Sequence, residues 1–148
     1  MEKVAVIVGA RIVDNYSLDS KRPFCWNFTL NYLIDNTIKS VDVRYDGDIE
    51  FNSGNVVLYN FDSNNLFEIE RLSLEQVREL EFMREIYRVQ YNGLVDRVNA
   101  GDSKLDNATV KFFNHKNRVS ASFDLDVLKR ILNNLDRDID IKKNFRGR

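Results

Sequence analysis

Two groups of carboxylates could hold a metal ion, and a lysine follows one of them. The groups are Asp46, Asp48 and Glu50, and Asp136, Asp138 and Asp140 followed by Lys142. A magnesium-dependent nuclease uses carboxylates to hold the cation and a lysine to meet the phosphate. Turn formation and solvation explain both groups equally well. A metal-dependent nuclease is therefore the third functional hypothesis, and no catalytic residue or metal ligand is assigned.

Three further motifs are incomplete. His115 and Cys25 are the only residues of their types, so one chain cannot assemble a Cys/His zinc set or a histidine-based triad, and we expect no cofactor. We interpret His115 as a turn residue and Cys25 as an inert thiol; a lone cysteine also favours a reducing, cytoplasmic compartment. Gly9 lacks the further glycines that a dinucleotide-binding turn requires.

The overall charge indicates no partner. The 148 residues contain 22 basic and 23 acidic side chains, which argues against a general nucleic-acid binder and against an acidic mimic of DNA. No apolar run approaches 18 residues, so no membrane span is expected. We predict one domain over 1–141 and a basic tail over 142–148. The second functional hypothesis is that this tail contacts the phosphates of a nucleic acid through Lys142, Lys143, Arg146 and Arg148. The alternative is that the tail is only a charged terminus in solvent.

The stretch PFCWNFTLNYLIDN, residues 23–36, alternates between large apolar and polar side chains. Its apolar members are Phe24, Trp26, Phe28, Leu30, Tyr32 and Ile34. Such a period of two predicts a half-buried strand. The same rings could stack on bases, but a nucleic-acid platform interleaves cations and this row contains none. We therefore predict that the row is core and lies beneath the long helix predicted over residues 74–99.

Ser73 and Gln76 form a capping-box pattern, and residues 74–99 contain no proline. Together they predict one helix of about seven turns. Residues 4–13 read as a central strand, and residues 38–61 as a meander with turns at Asp46-Gly47 and Ser53-Gly54. A three-residue loop over 46–48 would pair Tyr45 with Ile49 and keep one apolar face.

The predicted fold class is α+β: an antiparallel meander sheet packed by one long helix, followed by a hairpin and a second short helix. The hairpin turns at 114–117, and the second helix begins near Asp124 with an apolar stripe from Leu125 to Leu135. The first-turn acids of that helix suit its positive end.

One broad apolar stripe of the long helix is predicted to cover the sheet: Val77, Leu80, Met83, Tyr87, Tyr91, Leu94, Val95 and Val98. A second, narrower apolar strip lies outside it: Phe82, Ile86 and Val89, with Arg78, Glu85 and Arg88 around it. Two interpretations remain open. The strip is an exposed contact surface, or the C-terminal helix covers it. The leading hypothesis is a non-enzymatic intracellular protein-binding module, such as an inhibitor or immunity-type protein, whose partner is another protein or a second copy in a homodimer. The many Asn and Ile residues are typical of an A/T-rich bacterial or viral coding source.

Overall fold

A computed structural model describes residues 1–14, 24–99, 110–113, 119–123 and 125–144. Within them, a five-stranded antiparallel sheet carries the long helix on one face, which confirms the predicted α+β class. The strand order is β3-β2-β1-β4-β5, and β6 and β7 form a separate two-stranded sheet. The elements are β1 (Glu2–Asp14), β2 (Phe24–Ile34), β3 (Thr37–Tyr45), β4 (Val56–Asn60), β5 (Asn65–Glu68), α1 (Leu74–Asn99), β6 (Val110–Phe113), β7 (Val119–Phe123) and α2 (Leu125–Asn144).

The central strand β1 supplies side chains to two separate cores. Val4, Val6 and Val8 face the helices, and we call this side of the sheet the helix face. Ala5 and Ile7 point to the other side, which we call the ring face because it carries the aromatic row of β2. Since successive residues of a strand point to opposite faces, the apolar character of β1 on both parities follows from burial on both sides.

Both helices pack on the helix face through the stripes that their sequences predict. The α1 residues Val77, Leu80, Met83, Tyr87 and Leu94 are buried, as are Leu128, Ile131, Leu132, Leu135 and Ile139 of α2. The capping box at the start of α1 is formed in both directions. The Gln76 backbone N–H donates to Ser73 Oγ at 3.1 Å, and the Ser73 N–H donates to Gln76 Oε1 at 2.9 Å. These two bonds satisfy backbone donors that the helix itself leaves unpaired, and they define its first residue.

From Trp26 to Ile34 the aromatic row of β2 belongs to a core, but its predicted position beneath α1 is wrong. Phe28, Leu30 and Tyr32 are fully buried on the ring face, on the opposite side of the sheet from the helices. The edge strands β3 and β5 contact each other, so the sheet curls around its own aromatic side chains. Tyr32 stacks on Tyr59 with ring centroids 5.7 Å apart. The curled sheet thus covers the rings that the sequence assigned to the helix.

The predicted meander over 38–61 is wrong between β3 and β4. Residues 46–55 form no strand, so Tyr45 and Ile49 do not pair in a ladder, and β4 pairs with β1 instead. Phe51 nevertheless packs against Tyr45 with ring centroids 5.4 Å apart. At the end of this loop Gly54 adopts a φ of 97°, and a side chain there would collide with α2. Glycine is therefore required both for the backbone conformation and for the close approach of the helix.

Strands β6 and β7 confirm the predicted hairpin strands, while its turn at 114–117, including His115, lies outside the described residues. The second helix continues past the predicted domain limit at residue 141 and ends at Asn144. Lys142 and Lys143 are consequently helical and not part of a separate tail. Arg146 and Arg148 lie outside the described residues. Neither helix has an apolar segment of the length needed to cross a lipid bilayer, over the part of the chain that the structure describes.

Candidate functional site

The strip formed by Phe82, Ile86 and Val89 lies on the outward side of α1. Phe82 is 42% exposed and Val89 is 61% exposed, while Ile86 between them is half-buried. The spacing of four and then three residues keeps the three side chains adjacent along the helix. Met83 and Tyr87, one position further along the chain, are fully buried against the sheet. The strip is thus separate from the stripe that anchors α1.

The second helix approaches α1 from the other flank and leaves most of the strip uncovered. Arg84 Nη1 donates to Asp136 Oδ1 of α2 at 3.1 Å, which marks the side on which the two helices meet. At 100° per residue, Arg84 is rotated about 160° around α1 from Ile86. Phe82 and Val89 are therefore exposed and not covered by α2, and the use of the strip as a contact surface stays a prediction.

Charges of both signs lie near the strip, although Arg88 also reaches the flank that α2 occupies, where its Nη2 is 4.0 Å from Asp136 Oδ1. Glu85 and Arg88 pair across one helical turn at 3.1 Å, with the two side chains 62% and 45% exposed. Arg78 is exposed one turn before Phe82. Exposed ion pairs of this kind contribute little to folding stability, on the order of 0–1 kcal/mol. Their charges remain available to select a partner and to orient it.

One neighbouring position, Gly93, extends the strip along α1, and a further exposed apolar residue, Leu74, lies in the first turn. Leu74 is 59% exposed, but at 100° per residue it is rotated about 80° from Phe82 and so stands beside the line of the strip. Gly93 follows Val89 by one turn, and no atom lies within 4 Å of the place where its side chain would begin. The exposed apolar strip thus ends at Gly93, where the absence of a side chain leaves the backbone of α1 accessible to a partner. Neither residue belongs to the strip predicted from the sequence, although Gly93 continues its spacing.

The acidic group on α2 forms a structural contact rather than a cluster of free carboxylates. Asp138 Oδ2 accepts from the Val56 backbone N–H at 2.6 Å and from Lys142 Nζ at 3.0 Å. Lys142 Nζ also donates to the Val56 carbonyl oxygen at 2.9 Å. One ion pair of α2 therefore satisfies both backbone polar groups of the first residue of β4. Asp136 instead pairs with Arg84.

The other candidates for chemistry are dispersed. Cys25 is buried in β2, and no group of three His, Cys, Asp or Glu side chains is placed to bind a metal ion within the described residues. Asp46, Asp48 and Glu50 lie in the loop between β3 and β4. Asp140 follows Asp138 on α2.

A buried polar network on the helix face was not foreseen from the sequence. Asn31 Nδ2 donates to Tyr87 Oη at 3.0 Å, and Ser40 Oγ donates to Asn31 Oδ1, with all three side chains fully buried. Burial raises the pKa of Tyr87, and the hydrogen bond from Asn31 opposes that rise. The network joins α1 to β2 and β3. Its signal in the sequence was the polar parity of β2, which we expected to face water.

These placements leave the strip on α1 as the described surface best suited to recognition. Comparison of the chain with protein-family models, with curated proteins and with solved structures gives no match.

Proposed function

We propose that this protein is a non-enzymatic binding module that docks another protein on the strip formed by Phe82, Ile86 and Val89. The observation that carries the proposal is that Phe82 and Val89 are exposed, while α2 packs against a different flank of α1. An exposed apolar ridge with charged neighbours is the usual composition of a protein contact surface.

The large apolar side chains of the strip suit it to anchor a protein–protein interface. Burial of a large apolar side chain contributes roughly 1.5–3 kcal/mol, so Phe82 and its neighbours can anchor an interface that polar groups then surround. A partner that fits presents an apolar groove with mixed charges around it. Occlusion of that partner, as in an inhibitor or immunity-type protein, is the form of activity that requires no chemistry from this chain.

The test is the replacement of Phe82 by aspartate, with Asn92→Asp as the matched control. Both variants place a new carboxylate at an exposed position of α1, but only the first removes part of the strip. We expect circular dichroism and thermal unfolding to show both variants folded. Affinity capture from cells of the source organism should retain the same partner with the wild type and Asn92→Asp, and lose it with Phe82→Asp.

Self-association is measured in the same series by sedimentation velocity. If the wild type forms a dimer that Phe82→Asp abolishes, the partner is a second copy of this chain. If a folded Phe82→Asp variant retains every partner and the same oligomeric state, the strip is not the binding surface and the proposal fails.

The nucleic-acid and nuclease hypotheses gain less support. Lys142, which both hypotheses use, is held by Asp138 and by the Val56 carbonyl. A lysine already engaged in this way would have to leave these contacts before it could bind a phosphate.

A further inference from the structure

The distal half of β1 has one backbone edge that no described strand occupies. β2 pairs with β1 through Asp14, but β4 pairs only with Glu2–Val6. At Ile7 the last contacts on the β4 side are made by the loop, where Ile7 N–H donates to the Asn55 carbonyl at 2.9 Å. Beyond that point Ala10 and Arg11 are exposed, and Ile12 is 62% exposed.

The register shows which backbone groups point outward from this edge. Ile7 lies opposite Leu30 and directs its N–H away from β2, toward the loop before β4. After the bulge at Val8, Ala10 lies opposite Phe28 and Ile12 opposite Trp26, which repeats the parity of Ile7 and Leu30. Because N–H and C=O groups alternate between the two edges of a strand, Ala10 and Ile12 present theirs outward. Such a row pairs with another extended backbone.

Side chains beside the edge define the chemistry of that extended segment. On the ring face, the exposed Ile12 lies next to the half-buried Trp26. On the other face, the exposed Arg11 lies at the edge itself, opposite Asn27 of β2. Arg11 forms no ion pair with another residue that the structure describes. An added strand would thus meet the apolar Ile12 on one face and the positive charge of Arg11 on the other.

We propose that residues 10–14 of β1 form a strand-addition site for an extended segment of a partner protein in which acidic and apolar residues alternate. This site is independent of the strip on α1. Natural proteins usually protect an open edge with lysine, proline or an inward charge, whereas this edge carries an exposed isoleucine. The edge offers three outward residues, Ala10, Ile12 and Asp14, which are too few to hold a second copy of the chain in a stable dimer, because such a dimer normally buries about 1,200 Å² or more.

Amide hydrogen exchange of the free protein is the first test. Ala10 and Ile12 should exchange rapidly because their N–H groups point outward, while Arg11 and Val13, which pair toward β2, should be protected. Protection of Ala10 and Ile12 in the free protein would show that the edge is already occupied, and would overturn the proposal.

The second test uses a synthetic eight-residue peptide of alternating Glu and Val, with a Lys and Val peptide for comparison. Trp26 is the only tryptophan, so its emission reports contact at the edge. The acidic peptide should shift that emission and protect the Ala10 and Ile12 amides. Ile12→Pro removes one outward N–H but no bond to β2, and should weaken binding roughly tenfold. The control Ile12→Val keeps the N–H and the apolar side chain, and should bind nearly as the wild type.

Three outcomes contradict the proposal. Equal binding of the acidic peptide to Ile12→Pro and Ile12→Val would show that the backbone edge is not used. Stronger binding of the Lys and Val peptide would reject the assigned charge. A dimer that Ile12→Pro dissociates would assign the edge to a second copy of the chain instead. Ala10→Pro repeats the test at the neighbouring outward N–H if Ile12→Pro fails to fold.

Discussion

Replacement of Asp138 by alanine should destabilise this protein far more than the same change at Asp136. The Asp138 carboxylate accepts from the Val56 backbone N–H at 2.6 Å and from Lys142 at 3.0 Å, and its side chain is only 14% exposed. Alanine leaves that N–H without its acceptor and leaves a largely buried ammonium group without its counterion. Hydrogen bonds to charged groups contribute about 1.5–3 kcal/mol each to stability, and we expect a loss in that range.

Asp136 is the matched control because it lies on the same helix and also forms an ion pair. Its partner is Arg84 at 3.1 Å, but its side chain is 49% exposed. Exposed pairs contribute about 0.2–1 kcal/mol. Asp136→Ala should therefore cost less than Asp138→Ala by 1 kcal/mol or more, an order-of-magnitude difference that follows from burial and from the backbone contact.

Urea unfolding followed by circular dichroism measures both losses. A chain of this size loses about 2–4 °C in Tm for each kcal/mol, so Asp138→Ala should melt roughly 3–12 °C lower. A double-mutant cycle with Lys142→Ala separates the ion pair from the bond to Val56. If Asp138→Ala and Asp136→Ala lose the same free energy of unfolding, and the slope of that free energy against urea concentration is unchanged, α2 does not stabilise the start of β4 in this way.

Three further predictions concern single side chains. Burial raises the pKa of Tyr87 above its ordinary value of 10.0, so the free energy of unfolding should be unaffected below about pH 10 and fall at higher pH, by up to about 1.4 kcal/mol per pH unit; Tyr87→Phe should reduce this slope in urea titrations, and an unchanged slope would contradict it. Ser73→Ala removes the acceptor for the Gln76 N–H and should cost about 0.5–2 kcal/mol in thermal unfolding, whereas Ser73→Asp should cost little. Cys25 is buried, so a thiol reagent should modify it slowly in buffer and rapidly in urea; rapid modification of the native protein would show that β2 opens at this position.

The helices could be predicted closely from the sequence because their signals are local. Ser73 and Gln76 lie within one turn of each other, and the absence of proline over 74–99 allows α1 to run without interruption. The stripe of α2 repeats at helical spacing from Leu128 to Leu135. Capping and helical periodicity depend on residues that are close in the chain, so no knowledge of the rest of the fold was needed.

The position of the aromatic row could not be predicted in the same way. Its alternation shows that the two faces of β2 differ, but it does not show which layer covers each face. The polar parity of β2 includes Asn31, which the sequence assigned to water; in the fold it is buried by pairing with Tyr87 and Ser40. A buried polar network of this kind depends on residues that are distant in sequence, and single-residue polarity does not reveal it.

The predicted hairpin between β3 and β4 was wrong for a related reason. The Asp46-Gly47 signal and the parity of Ile49 favoured a local hairpin, yet β4 pairs with β1, about fifty residues earlier in the chain. The exposure of Phe82 likewise depended on the flank that α2 occupies, which helical periodicity alone does not define. Local patterns thus indicated the elements and the candidate strip, while long-range pairing decided what each face contacts.

The alternation of β1 between two cores restricts how this chain can change in length. Deleting one residue between Val4 and Ile7 would turn the side chains on one side of the deletion to the opposite face, so that a valine there would enter the space of an alanine or isoleucine. Substitutions of similar volume are tolerable there, whereas insertions and deletions are not. Variation in length among descendants of this sequence should therefore concentrate in the segment 46–55, and the first strand should keep its residue count.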